Sequence, residues 1–360
     1  MKLNTIQVVH KYLPTLCEES MLVYNYTNLL NKNYGVSIIA APIIKNYEDK
    51  TSFRVVRIKD NHLKKLLNNK GFDLIHIHSY IYGELALEMA RKNQVPIVAT
   101  FYPQEFYAIK EKNRNKMMKK IVQIYNYYNY LFTTNQRMIN ILKDYGYKGK
   151  ISLIKSGTDI SYDDSNRLRD KDYIERIHNV SDDSYILLYV GSLNWNKNLK
   201  LILETIAHLR DFKQKFKILF VGEGNARIEM NRFIEENKFS KYVDFVGEIT
   251  DRSQLVKYYA QASLLLYPVP YLTSGLAIRE AAACSCPTLA LKDVDTLIND
   301  NINGYLSDNN SLSYAQRIIS AINDRNKDKV KLAAQETLAI PYEQVVKELY
   351  EYYVEIINNS

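Results

Sequence analysis

Between residues 267 and 287 the chain reads YPVPYLTSGLAIREAAACSCP, a corner built to hold an anion. An apolar run ending at Leu266 meets a proline-flanked turn, then Thr273-Ser274-Gly275, then a segment with helical character from 276 to about 284. The first N–H groups of a helix have no partner within it, and the helix dipole favours negative charge there. Thr273 and Ser274 are placed to cap the helix, Gly275 lets a phosphate come close to the backbone, and Glu280 follows one turn further in. A phosphate-bearing ligand fits this corner. An ordinary capped helix, packed through its alanines 281–283, would show the same residues.

Other constellations carry less. Gly222-Glu223-Gly224, with Asp244 about twenty residues on, imitates a dinucleotide fingerprint, but Arg227 stands where a third glycine would allow close helix packing, so hydride chemistry is not expected. His76 and His78 alternate on one strand and so face one side, yet nothing completes a metal shell; core or cleft-lining histidines are expected, and no metal. A loop ending in Gly-Lys-Ser/Thr and a Gly-x-Ser-x-Gly elbow are both missing, which removes the P-loop and hydrolase readings. Cys17, Cys284 and Cys286 are an odd count without metal spacing, the last two set on different faces of the expected helix, and they read as reduced structural thiols.

From Lys110 to Lys120 the sequence KEKNRNKMMKK holds six cations against one carboxylate. On a helix, Lys112, Lys116, Lys119 and Lys120 share a side, and Met117, Ile121, Ile124, Tyr125 and Tyr128 make an apolar stripe. That arrangement suits an anionic membrane surface, with a solvated basic face over a core stripe as the plainer alternative. No nucleic-acid partner is expected, because no known nucleic-acid module is present.

These residues need a scaffold, and the apolar runs supply one. Short, mostly β-branched runs at 6–9, 36–41, 53–58, 74–78, 97–101, 131–134 and 151–154 alternate with helical periodicity, as do later runs at 185–190, 217–221, 243–246, 264–267 and 288–291. Such alternation makes a mainly parallel sheet with helices on both faces. The expected architecture is α/β: two tandem, doubly wound, Rossmann-like domains facing a central cleft. Residues 1–160 would form the first, 161–184 a polar hinge, 185–340 the second, and a helix at 341–360 with apolar Val345, Leu349, Tyr352 and Ile356 would pack back across the hinge.

A length of 360 residues and a hydrophobic content of 46% suffice for two cores. A net charge of +8 points to an anionic partner, whether membrane surface, polyphosphate or nucleic acid. With no apolar run of membrane-spanning length and a short, polar start, a cytoplasmic location is expected, peripheral to the inner face of the plasma membrane if the basic stretch binds lipid.

Taken in order, the motifs resemble the retaining glycosyltransferases of family 4, which have two facing Rossmann-like domains of the GT-B type. Val190-Gly191-Ser192-Leu193 followed by Lys197 looks like the loop that holds the donor diphosphate, with Ser192 where the family usually has Arg. Phe220-Val221-Gly222-Glu223-Gly224 and Val243-Asp244-Phe245-Val246-Gly247-Glu248-Ile249 resemble the next landmarks, the second touching the base near Ile249. The corner from Leu272 to Glu280 resembles the signature of two acidic residues with seven between; Glu280 falls on the second, which holds the ribose hydroxyls, and Leu272 on the first. Asn303-Gly304-Tyr305-Leu306 resembles the closing landmark. His76-Ile77-His78-Ser79, Pro96 to Thr100 and Ser156-Gly157-Thr158-Asp159 have counterparts in the first domain. There Leu16-Cys17-Glu18-Glu19-Ser20 replaces a common Gly-Gly loop, and Tyr102 a usual histidine.

The resemblance implies transfer of a sugar, with retention, from a nucleotide sugar, a UDP-sugar by preference, to a cell-envelope glycan or lipid-linked acceptor, with no metal or other cofactor. Lys197, Glu280, His78 and Tyr102 are the expected catalytic residues. Ser192, Lys197, Glu223, Glu248, Ile249, Thr273, Ser274, Gly275, Leu276, Ala277 and Glu280 would bind the donor, and Tyr12, His78, Tyr102 and Glu105 the acceptor. The missing acid at Leu272 favours a second reading: a catalytically silent subunit that binds a partner glycosyltransferase or a glycosylated protein.

Overall fold

In a computed structural model the chain forms two compact units, residues 1–157 with 342–360, and residues 158–341. The structure describes residues 1–15, 17–68, 71–161, 173–181, 183–294 and 297–360. The first unit runs β1 (Leu3–Val8), α1 (Glu18–Asn33), β2 (Gly35–Pro42), β3 (Val55–Ile58), α2 (Asp60–Leu67), β4 (Leu74–Ile77), α3 (Gly83–Asn93), β5 (Ile97–Phe101), α4 (Pro103–Ala108), α5 (Glu111–Tyr125), β6 (Tyr130–Thr133), α6 (Gln136–Asp144) and β7 (Ile151–Leu153). The second runs α7 (Tyr173–His178), β8 (Tyr185–Val190), α8 (Leu199–Asp211), β9 (Phe216–Val221), α9 (Arg227–Glu236), β10 (Val243–Gly247), α10 (Arg252–Gln261), β11 (Leu264–Tyr267), α11 (Leu276–Ala283), β12 (Thr288–Leu291), β13 (Tyr305–Ser307), α12 (Ser311–Ile322) and α13 (Lys327–Leu338). The chain then returns to the first unit as α14 (Tyr342–Asn358).

Each sheet is parallel throughout. Strand order is β3-β2-β1-β4-β5-β6-β7 in the first unit and β10-β9-β8-β11-β12-β13 in the second. Parallel strands covered on both faces read as unbroken apolar runs, as YILLYV in β8 and LLLY in β11 do. In the second unit, one core lies under α8, α9 and α12, with Leu187, Ile202, Ile218 and Ile318. The other lies under α7, α10 and α11, with Leu188, Leu219, Tyr259 and Leu265. Strand order reverses at β1/β4 and at β8/β11, and ligands of open α/β sheets bind where it does.

The runs expected as strands are strands, within three residues at their ends. β13 escaped notice because three residues give too few alternations to read. Of the expected hinge, 162–172 and 182 lie outside the described residues; within it, 173–178 forms α7, and the chain passes between units at 157/158 and 341/342. The buried stripe of α14 is Val345, Val346, Leu349, Tyr353 and Ile356, with Tyr353 rather than Tyr352 at its centre. In α5 the buried residues are Met118, Ile121, Val122 and Tyr125, while Met117 is exposed: spacings of three, four and seven from Met118 share a face, and Met117 is turned about 100° off it. Cys284 and Cys286 lie past the end of α11 rather than on it, and among the described residues none of the three cysteines forms a disulfide. No helix of the described residues is long and apolar enough to cross a membrane.

Candidate functional site

The loops that follow β8 and β11 meet at the second unit's strand reversal. After Val190 the chain passes Gly191 and Ser192 into a single 3-10 turn, Trp195–Lys197, before α8. Asn198, at φ 59°, donates from Nδ2 to the Pro268 carbonyl at 3.2 Å, and Lys197 Nζ lies 4.9 Å from the Tyr271 ring centroid. The second loop folds on itself: the Tyr267 and Thr273 hydroxyls are 2.7 Å apart, and Gly275 N–H donates to Thr273 Oγ1 at 3.1 Å. Lys197 thus reaches Tyr271, two residues before the Thr-Ser-Gly turn, although the two loops are far apart in sequence.

Neither Thr273 nor Ser274 caps the helix. Gly275 is the N-cap, in the left-handed region at φ 71°, and no side chain bonds the first turn. That backbone turn directs the Thr273 hydroxyl back to Gly275 N–H and the Ser274 side chain inward. Ser274 is fully buried, and its hydroxyl meets no partner among the described residues. Arg279 N–H bonds the Gly275 carbonyl at 3.0 Å, so the amides of half-buried Leu276 and Ala277 precede the first intrahelical bond and point out of the helix start. The two adjoining loops therefore offer a cation and bare helix-start amides, while the Ser274 hydroxyl is buried.

Neighbouring loops brace it. Leu193 N–H donates to the Glu223 carbonyl at 2.9 Å, Ala226 N–H to the Leu193 carbonyl at 2.9 Å, and Gly222 N–H to the Gly247 carbonyl at 2.8 Å. Ser192 is exposed and its carbonyl accepts from Tyr189. Glu223 is exposed and ion-paired with Arg227; Glu248 is exposed, and Ile249 is half-buried against the α10 and α11 core. Asp244 is held by Lys217 at 2.9 Å and His178 at 3.0 Å. Leu272 is buried, 2% exposed.

Glu280 is 3% exposed. Arg252 Nη2 donates to its Oε1 at 2.7 Å and Tyr259 donates to Oε2 at 2.9 Å. Arg252 in turn makes a two-point contact with Asp159, with Nε to Oδ2 at 3.1 Å. Burial pushes the Glu280 carboxyl above its ordinary range, and Arg252 pulls against that. Sequence reasoning missed Arg252 and Tyr259. Neither belongs to a motif, and the nearest signal was Asp251, which caps α10 through Ser253 N–H at 2.8 Å and so sets where Arg252 starts.

In the first unit, His76 and His78 stack with ring centroids 4.0 Å apart and are fully buried. His78 meets Tyr102 Oη and Gln7 Oε1, each at 2.8 Å; His76 meets Thr100 Oγ1 at 2.8 Å and Tyr353 of α14. Burial holds His78 down at about 3 and His76 well below the usual imidazole range, so both rings are neutral. The structure thus places His78 and Tyr102 inside a satisfied polar row. Tyr12 is buried too, its ring under the Arg57 guanidinium at 5.4 Å and its hydroxyl without a partner among the described residues.

Glu105 lies past β5, where Tyr80 N–H and Tyr102 N–H donate to it at 3.3 and 3.4 Å; burial, then Glu19, pushes its carboxyl up to about 8. Unfolding would return Glu105 to about 4.5. A folded value above the unfolded one contributes stability that is complete below pH 4.5 and lost as pH rises through about 8. Melting temperature should therefore fall more steeply between these values in the wild type than in Glu105→Gln; parallel curves would refute the assignment.

Comparison with known proteins gives the family and the fold. Residues 170–336 match the family described as Glycosyl transferases group 1, and residues 14–162 match Glycosyltransferase Family 4. The alpha-monoglucosyldiacylglycerol synthase of Acholeplasma laidlawii is 23% identical over 274 residues, 72% of this chain and 68% of that protein. HepE of Anabaena, solved in complex with UDP, superposes with a TM-score of 0.82 at 14% identity, covering 98% of this chain and all of that one. The sucrose-phosphate synthase of Thermosynechococcus elongatus gives 0.81 at 18% identity over the full length of both chains.

Proposed function

The chain belongs to the family 4, GT-B type glycosyltransferases, and from that premise we propose that it moves a sugar, with retention, from a UDP-sugar to a lipid-linked or cell-envelope glycan acceptor. The observation behind it is the contact of Lys197 with Tyr271, two residues before the Thr273-Ser274-Gly275 turn, at the strand reversal. Two further facts support it: HepE was solved holding UDP, and the Acholeplasma relative is named for glucosylating a diacylglycerol.

In this reading the donor diphosphate lies against Lys197 and the amides of Leu276 and Ala277. As the bond from the anomeric carbon to the phosphate oxygen breaks, negative charge grows on the phosphate, and fixed donors stabilise it without reorganising. The acceptor oxygen bonds to the same face of the anomeric carbon, and its proton passes to the departing phosphate oxygen. Charge neutralisation rests on the lysine and the amides, and the proposal asks for no metal. Exposed Lys112, Lys116 and Lys119 of α5 are assigned to an anionic membrane surface.

UDP is expected to raise the melting temperature of the purified protein, and a matching UDP-sugar to be slowly hydrolysed. Flotation with phosphatidylglycerol vesicles should weaken when those three lysines become glutamines. One observation favours the silent-subunit reading: the first acidic position holds a buried leucine, which cannot touch a sugar. A protein that no nucleoside diphosphate stabilises, yet that copurifies with an active glycosyltransferase, would establish that reading instead.

A further inference from the structure

Arg252 lies outside every motif that relates the chain to its family, yet it holds the carboxylate on which nucleotide recognition would depend. Ionised, a carboxylate has about four acceptor sites. Arg252 takes one on Oε1 and Tyr259 one on Oε2, which among the described residues leaves one on each oxygen. Two acceptor sites side by side match the two hydroxyls of a ribose. Arg252 itself is anchored at two points by Asp159, so the guanidinium fork is fixed before any ligand arrives.

We propose that Arg252, held by Asp159, is the positioning residue that keeps Glu280 ionised and aimed at the ribose cis-diol of the donor nucleotide, and so sets the preference for ribo- over 2′-deoxyribonucleotides. The inference rests on the donor-site reading. Among the described residues the titratable and charged groups around Glu280 are Arg252, Asp159 and Tyr259, with Cys284 just past the end of its helix. Burial raises the Glu280 carboxyl and Asp159 adds to that, while Arg252 and the Tyr259 hydroxyl oppose it. Loss of the cation therefore favours the protonated acid, which accepts fewer hydrogen bonds from a diol; loss of Asp159 removes a charge that raises Glu280 but also frees the guanidinium that lowers it.

The test is calorimetric titration of the full chain with UDP and with 2′-deoxy-UDP between pH 6 and 9. For the wild type, 2′-deoxy-UDP should bind about 10–100-fold more weakly, the worth of one hydrogen bond to a charged group. In Arg252→Gln that discrimination should shrink below threefold, and the pH midpoint of UDP binding should move up relative to wild type, with affinity recovering as pH rises. Arg252→Lys should restore the midpoint. Asp159→Asn, on a partly exposed side chain, frees the guanidinium fork and should also shrink the discrimination between the two nucleotides, even if Arg252→Gln fails to fold. Unchanged discrimination in both variants, with or without an equal loss of affinity for both nucleotides, would overturn the role of Arg252 while leaving the donor site standing. A wild type that binds no UDP would overturn the donor site, and this inference with it.

Discussion

Alanine at position 197 is expected to lower kcat/KM for UDP-sugar turnover about 10²–10³-fold, the usual effect of removing one preorganised donor from a site of developing charge. Lys197 sits on the 3-10 turn between β8 and α8, with its ammonium over the Tyr271 ring, and it is the cation the β8 loop brings to the corner. With serine at position 192 in place of the family's arginine, little else on that loop can share the work. Lys197 is half-buried and belongs to no core cluster, so the melting temperature should stay within about 2 °C, as for most surface substitutions. Lys197→Arg keeps the charge and should recover part of the rate. Steady-state kinetics with a fluorescent detector of released UDP would decide the matter. Turnover within threefold of wild type would remove Lys197 from the site.

Gly222→Ala should cost about 2–4 kcal/mol and lower the melting temperature of the second unit by about 4–16 °C. Gly222 has φ 131°, and a Cβ there would lie 2.1 Å from the Gly191 carbonyl oxygen and 2.9 Å from its carbon. Both are backbone atoms, so no side chain can swing aside. The same residue ties the β9 loop to the Gly247 carbonyl, and misplacing it would spread the loops that brace the corner. Gly146→Ala is the control: its φ of 97° carries conformational strain, but nothing lies within 4 Å. It should cost only about 1 kcal/mol. Equal melting temperatures for the two variants would show that the stacking of Gly191 on Gly222 contributes nothing.

Much of the fold could be read from one dimension. The runs at 185–190, 264–267 and 288–291 coincide with β8, β11 and β12, and the helix after Gly275 begins where its small-residue turn implied. Periodicity of two or of three to four residues is a local property, and a parallel sheet covered on both faces leaves a strong apolar signal. Charge was legible as well: the basic face of α5 is exposed, as its lysine spacing requires, though Met118 rather than Met117 anchors the buried side.

Other features were decided only when the chain closed on itself. Glu280 is 28 residues from Arg252, and Arg252 is 93 from Asp159; no short-range pattern joins them. His76 and Tyr353 are 277 residues apart and meet because α14 rejoins the first unit. Whether Thr273, Ser274 or Gly275 caps α11 depended on a left-handed φ that any glycine permits and none announces. Residue order therefore determined which elements form and which motifs they carry, because hydrophobic period and turn chemistry act over a few residues. Tertiary packing alone decided which buried charges face one another, because desolvation and hydrogen-bond geometry depend on neighbours that the sequence keeps far apart.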